Sequence, residues 1–220
     1  MINIAIDGPA GAGKSTIAKA VAAKKGFIYV DTGAMYRTMA LSCLYNNIDL
    51  EDENAVTENC DKTNIDLTYK DGGQIVLLNG LDVTKEIRKE EVGKSTSKIA
   101  VYGKVREKLT KMQKEIARNN NVVMDGRDIG SAVLPNADLK LFLTASSAVR
   151  AKRRYDELIA KGENADIDVI EKDIIERDYN DSHRVISPLI QAEDAILIDS
   201  SYMTIDEVVN DILDKIEALN

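Results

Sequence analysis

Gly8-Pro9-Ala10-Gly11-Ala12-Gly13-Lys14-Ser15, followed by Thr16, has the GxxxxGKS spacing of a loop that wraps phosphate groups. Glycines so placed let backbone N–H groups turn inward with no Cβ in the way. A lysine at the position of Lys14 reaches β- and γ-phosphates, and a serine at Ser15 ligates Mg2+. Lys14 is therefore a catalytic candidate, Ser15 a metal candidate, and 8–16 an ATP-binding loop. Neighbouring residues supply the context the motif needs. Ile2-Asn3-Ile4-Ala5-Ile6-Asp7 reads as a buried strand, and Thr16-Ile17-Ala18-Lys19-Ala20-Val21-Ala22 as a helix whose N-terminus adds amide donors and a positive dipole end.

Other residues could serve such a loop. Asp125-Gly126-Arg127-Asp128 follows the apolar run Val122-Val123-Met124. An aspartate ending a buried strand beside a phosphate loop orients water on Mg2+, which makes Asp125 a metal candidate through water. Arg127 could then clamp a phosphate, although a plain Asp-Gly turn is the other reading. Asp31-Thr32-Gly33-Ala34-Met35-Tyr36-Arg37 follows Phe27-Ile28-Tyr29-Val30 and reads locally as a strand-to-helix turn, with Thr32 as N-cap and Arg37 on a solvated face. Arg150, Arg153 and Arg154 fall at i, i+3 and i+4 and share one helix face, either as a lid over phosphates or paired with Asp156 and Glu157. His183, the only histidine, reads as a surface residue around which no metal site assembles.

Positioning these residues takes a sheet. The runs 2–7, 27–30, 122–124, 139–143 and 195–198 are apolar, and helical patterns separate them, so a mostly parallel sheet with helices on both faces is expected. The runs end at Asp7, Asp31, Asp125, Thr144 and Asp199, on the edge where an open α/β sheet collects its ligands. Between 64 and 84 the pattern alternates instead, with turns at Asp71-Gly72-Gly73 and Asn79-Gly80, which predicts a small antiparallel meander. Helix 104–119 carries a core stripe of Val105, Leu109, Met112 and Ile116. A helix from 146 ends at Gly162. The next, from 166 to 184, is expected to turn Ile167, Ile170 and Ile174 one way and Arg177, Asp181 and Arg184 another. Thr204-x-x-Glu207 is a capping box opening a structural helix with Val208, Val209, Ile212, Leu213 and Ile216.

With 220 residues, 44% hydrophobic and 30% charged, the chain suits one α/β domain with a small insert. A net charge of −8 excludes a broad nucleic-acid footprint, whereas clustered arginines suit a small anion. Cys43 and Cys60 fit neither a zinc nor a disulfide spacing and read as small buried hydrophobes in a reducing cytoplasm. No apolar stretch is long enough to span a membrane.

These motifs together resemble the bacterial cytidylate kinase family, within the nucleoside monophosphate kinases. The resemblance rests on GPAGAGKST at 8–16, DTGAMYR at 31–37, VRE at 105–107, DGRDIG at 125–130 and ERDYNDSHR at 176–184, and spans nearly the whole chain. It implies a P-loop NTPase fold with strand order 2-3-1-4-5. A core of 1–60 and 104–220 would carry a helical lid at about 150–166, and 61–103 would be a monophosphate-binding insert. The implied reaction is ATP-dependent phosphorylation of CMP or dCMP by a cytoplasmic monomer, with no membrane or polymer partner. By this resemblance Thr32, Ser97, Arg106 and Asp128 surround the cytosine, while Arg37, Arg127 and Arg184 hold the acceptor phosphate. Arg177 and Asp181 reach the sugar; Arg127 and Arg184 join Lys14 as catalytic residues, and Arg150, Arg153 and Arg154 meet ATP. A shikimate-type small-molecule kinase and a non-metabolic nucleotide switch stay open as alternatives. The first would lack the meander; the second would carry an NKxD segment, where this chain has Thr144-Ala145-Ser146-Ser147.

Overall fold

The structure, a computed structural model, describes residues 1–70 and 73–219. The turn expected at Asp71-Gly72-Gly73 therefore lies, apart from Gly73, outside the described residues. Five strands, β1 (Asn3–Asp7), β2 (Ile28–Asp31), β6 (Val122–Asp125), β7 (Leu139–Thr144) and β8 (Ile196–Asp199), form one sheet in the order β2-β6-β1-β7-β8. Counted among these five, that is 2-3-1-4-5, as expected. Parallel pairing sets Ile6 opposite Asp125, Asp7 opposite Phe142, and Thr144 opposite Asp199. Polar strand ends thus line up along one edge. The chain divides into two compact units, one of Met1–Tyr29 with Asn120–Asn220 and the other Val30–Asn119.

In the first unit, Ile4, Ile6, Leu141 and Leu143 pack against Ile17 and Val21 of α1 (Lys14–Lys25) and against Val208, Ile212 and Ile216 of α8 (Ile205–Glu217). Burying each such side chain contributes about 1.5–3 kcal/mol. The capping box of α8 is present, with the Thr204 hydroxyl accepting from the Glu207 amide. Helix α6 (Ser147–Ala160) is capped by the Ser146 side chain and closes at Gly162, whose φ is 78°.

Helix α7 (Ile167–His183) corrects one expectation. No residue in it is fully buried, and its half-covered positions are Ile170, Glu171, Ile174, Arg177, Asp178 and Asp181. Steps of four, three and four from Ile170 to Ile174, Arg177 and Asp181 keep one face. The apolar and charged residues are one stripe that changes chemistry along its length, not two faces.

The second unit holds α2 (Thr32–Tyr45), α3 (Glu53–Lys62), α4 (Glu90–Ile99) and α5 (Gly103–Asn119) with the antiparallel meander β3 (Ile65–Lys70), β4 (Gly73–Leu78) and β5 (Leu81–Asp82). Asn79 and Gly80 both take positive φ, the geometry of a tight hairpin turn. The N-cap of α2 is Asp31, whose carboxylate accepts from the Ala34 amide at 2.8 Å. Thr32, expected there, is the first helical residue and is buried. The stripe of α5 is also displaced: Val105, Leu109, Gln113 and Ala117 are buried, whereas Met112 and Ile116 are half-covered. Cys43 and Cys60 are free and buried, and burial raises both thiols above their usual range. Among the described residues no helix is long and apolar enough to cross a membrane.

Gly8 follows β1 with φ 144°, and a Cβ there would stand 1.9 Å from the Leu143 carbonyl oxygen. Gly13, at φ 91°, would add its Cβ to open space. Gly8→Ala is expected to cost more than about 3 kcal/mol, roughly 6–12 °C in Tm, because backbone must move. Gly13→Ala should cost only the left-handed strain of about 1–2 kcal/mol. Thermal melting of both variants checks the order; equal losses would refute the clash with β7.

Candidate active site

The glycine loop runs from the end of β1 into α1. Lys14 opens that helix and is only 6% exposed, with its ammonium donating to the Pro9 carbonyl at 2.7 Å. At the end of a glycine loop a lysine side chain can reach freely into solvent. The structure instead curls it back over the loop. Burial, with the Arg127 guanidinium, pushes Lys14 down to about 7 against the pull of Asp125, Asp7 and Asp181. Ser15 Oγ donates to Asp125 Oδ2 at 2.8 Å, and the Tyr29 hydroxyl donates to Oδ1 at 2.9 Å. Among the described residues no group of three or more His, Cys, Asp or Glu could hold a metal. Ser15 and Asp125 offer two hard oxygens, which suits Mg2+, an ion that keeps several waters and takes its other ligands from phosphate.

Beyond Asp125 the chain carries Arg127 and Asp128 into a wide helical turn, Ile129–Val133. Arg127 Nε donates to Asp181 Oδ2 at 2.8 Å, so the DGRD loop meets α7. Burial would raise Asp181, but Arg127, Arg177 and Arg184 together hold it below the usual carboxylate range. Arg177 lies one turn before Asp181 on the same face, and its Nε is buried without a hydrogen-bond partner among the described residues. Arg184, which ends α7, donates through Nε to the Ser187 carbonyl, and its Nη2 stands 3.4 Å from Asp128 Oδ1. Arg127, Asp128, Arg177, Asp181 and Arg184 are thus brought together. Ser182 and His183 are exposed, and the imidazole stacks on Tyr179 at 4.0 Å.

On its other side the loop opens on a cavity of about 540 Å3, lined by Gly11 through Thr16 together with Arg150, Arg153 and Arg154. Its apolar wall is Met203, Ile205 and Val208. The three arginines share this face but differ in fixity. Arg150 is 5% exposed, pairs with Asp178 at 2.6 Å and donates to the Ala10 carbonyl at 3.0 Å. Arg153 donates to the Ser200 carbonyl at 2.8 Å, whereas Arg154 pairs with Glu157 on the surface.

In the second unit, Arg37 Nη1 donates to the Ile87 carbonyl at 3.1 Å and its guanidinium lies against Gly93 of α4. Ser97 is exposed one turn further along that helix. Arg106 is buried, donates to the Ala100 carbonyl at 3.1 Å and sits 5.5 Å over the Tyr36 ring. Arg37 thus lies against α4, the helix that carries Ser97, and Arg106 of α5 lies against Tyr36 of α2. Thr32 is buried at the start of α2.

Tyr29 and Asp178 take part in these contacts without having been singled out, and Asp7, expected only as a polar strand end, does so too. Tyr29 and Asp178 carry no local pattern, since their partners lie 96 and 28 residues away. Asp7 does leave a trace, as a carboxylate that ends an apolar strand immediately before the glycine loop. Its carboxyl is buried and pushed up to about 6, with the Gly130 and Ile129 amides pulling the other way.

A family model described as cytidylate kinase matches residues 4–218. A cytidylate kinase of Ligilactobacillus salivarius is 51% identical over 219 residues, covering 100% of this chain and 98% of the relative. One of Desulforamulus reducens is 54% identical over 214 residues, with 97% and 96% covered. Among solved structures, an uncharacterized protein from Eubacterium ventriosum superposes with a TM-score of 0.52 at 12% identity over 99% of both chains, a likeness of fold alone. A match of this extent decides between the readings that the glycine loop left open: the chain belongs to the cytidylate kinase family.

Proposed function

We infer that the chain transfers the γ-phosphoryl group of ATP to CMP or dCMP, giving ADP and CDP or dCDP. Among the geometry described, the Ser15–Asp125 hydrogen bond supports this best, because it ties the donor-phosphate loop to the end of β6, which leads directly into Arg127 and Asp128. The acceptor is a phosphate oxygen already anionic at neutral pH, so no strong general base is needed. Catalysis then comes from positioning and from spreading the transferring group's charge.

In this reading 8–16 cradle the triphosphate, and Lys14 leaves the Pro9 carbonyl for its β- and γ-oxygens. The 540 Å3 cavity, polar beside the loop and apolar at Met203 and Ile205, suits adenosine, with Arg150, Arg153 and Arg154 on its rim. Ser15 would hold Mg2+ directly and Asp125 through water. When bound, the ion adds positive charge beside the phosphoryl oxygens. Arg37, Arg127 and Arg184 hold the acceptor phosphate, Arg177 and Asp181 the sugar, and Thr32, Ser97, Arg106 and Asp128 the cytosine. Residues 61–103 act as the monophosphate-binding insert and about 150–166 as a lid that excludes water and prevents ATP hydrolysis. A cytoplasmic monomer suffices for this chemistry.

Lys14→Met is expected to lower kcat by roughly 10²–10³-fold, the scale for removing one charge-stabilising donor. Because Met relieves the cost of a buried ammonium, Tm should hold or rise. ADP release from ATP and CMP, with melting of the same samples, checks both; near-normal turnover would remove Lys14 from the chemistry.

Cytosine presents an N4 amino donor beside an N3 acceptor, and uracil the reverse. A carboxylate accepts from N4 and an arginine donates to N3 and O2, so Asp128 and Arg106 fit cytosine. UMP would set O4 against the Asp128 carboxylate, at a cost of about 1–3 kcal/mol or more. kcat/KM for CMP should therefore exceed that for UMP in the wild type, and Asp128→Ala should shrink the ratio. Equal use of UMP by the wild type would defeat the cytosine assignment. An unchanged ratio in the variant would move the readout to another residue.

A further inference from the structure

Asp7 is the last residue of β1, immediately before the glycine loop. Its carboxylate is 5% exposed, and both oxygens are committed: Oδ1 accepts from the Ile129 amide and Oδ2 from the Gly130 amide, each at 2.7 Å. These are the first two amides of the wide turn that follows the DGRD loop. An amide at the second or third position of a helical turn, as Gly130 is here, is ordinarily satisfied by the side chain of the residue at the N-cap. That residue here is Asp128, and its side chain makes no cap hydrogen bond; it faces Arg184 instead. The cap has been supplied from a neighbouring strand, 122 residues away in sequence.

Two further observations make this a tight clamp. A Cβ on Gly130 would stand 3.3 Å from Asp7 Oδ2 and 3.2 Å from the Lys140 side chain, so glycine lets the carboxylate reach the amide. On the other side, Gly8 is pressed against the Leu143 carbonyl, which leaves the backbone after Asp7 no room to yield. A buried carboxylate is tolerated only when hydrogen bonds replace its lost hydration, and two charge-assisted bonds do so here.

We propose that Asp7 is a positioning residue for acceptor recognition. By capping the turn at 129–133 in place of Asp128, it keeps the Asp128 carboxylate turned away from its own turn, toward Arg184 and the acceptor base, and holds residues 125–130 in register with the glycine loop. The first half rests on the reading of Asp128 as the cytosine-facing group. Asp7 touches no substrate; it acts through Asp128.

The test begins with Asp7→Asn, which keeps shape but sets an NH2 donor against one of the two amides. Amide hydrogen exchange should show at least one of the Ile129 and Gly130 protons losing about tenfold or more in protection, the scale of one lost hydrogen bond. KM for CMP should rise about tenfold and the CMP-to-UMP ratio of kcat/KM should fall, with KM for ATP within about threefold of wild type. Adding Asp7→Asn to Asp128→Ala should cost no further selectivity, since the first acts through the second. Retained protection at both amides overturns the clamp. Lost protection with unchanged CMP selectivity reduces Asp7 to a stabilising residue and overturns the positioning role. If Asp128→Ala alone leaves selectivity unchanged, the reading of Asp128 fails, while the exchange data still judge the clamp. Should Asp7→Asn not fold, Gly130→Ala pushes the same contact apart from the other side and is expected to give the same shifts in protection and selectivity.

Discussion

Gathering cations at one place is the constraint on which the first unit rests. Lys14, Arg127, Arg177 and Arg184 stand close enough to perturb one another or their shared carboxylates, since Arg127 lowers both Lys14 and Arg177 and three arginines act on Asp181. At an effective dielectric of about 20, two like charges 4 Å apart repel by about 4 kcal/mol. The chain meets this by interleaving acids, with Asp181 against Arg127, Asp128 facing Arg184 and Asp178 against Arg150. These pairings also keep long side chains in defined rotamers. A phosphate arriving among them meets donors already oriented, which is the condition for electrostatic stabilisation without reorganisation.

The same logic explains why α7 bears charge on the face that packs. Ile170 and Ile174 sit on the covered stripe, and one turn later Arg177 and Asp181 occupy the same stripe. A helix buried by apolar residues throughout would bring no charge to the DGRD loop. One that was polar throughout would have nothing to hold it. Splitting the stripe lengthwise docks the helix at one end and presents charge at the other. Hydrophobic periodicity places Ile170 and Ile174 correctly but not Ile167, which is exposed, and it assigns charged residues to a separate solvent face by default, which fails here.

Legibility in the sequence follows the range of the interaction. The glycine loop, the five apolar runs and the capping box at Thr204 are local patterns, and each forms where its residues stand. The meander at 65–82 is local too, because a turn with two positive-φ residues at Asn79 and Gly80 sets its register. Small offsets arise where two residues compete for one role: Asp31 and Thr32 can both cap α2, and the carboxylate, one residue earlier, does so. What sequence does not carry is pairing across the sheet. Lys14 looks exposed because it ends a glycine loop, yet the fold around it supplies Arg127 and three carboxylates from elsewhere. Asp7, Tyr29 and Asp178 acquire their partners only when distant strands and helices meet.

An acidic chain that handles anions is a paradox only at the level of net charge. The −8 balance is a sum over the surface, while the candidate site depends on a few cations in surroundings of low dielectric. Lysines mostly stay on the exterior, where pairs such as Lys94 with Glu90 and Lys152 with Asp156 are exposed and contribute little. Arginines 127, 150 and 184 lie inward, where a planar fork of donors can hold a carboxylate or a phosphate. The surface acids then act against association with nucleic-acid polymers, whose binding would need a continuous basic face. A mononucleotide needs only the cluster. Surface repulsion and interior attraction thus select together for small anionic substrates, because the two act over different distances: solvent screens the first within about 10 Å, and burial shelters the second.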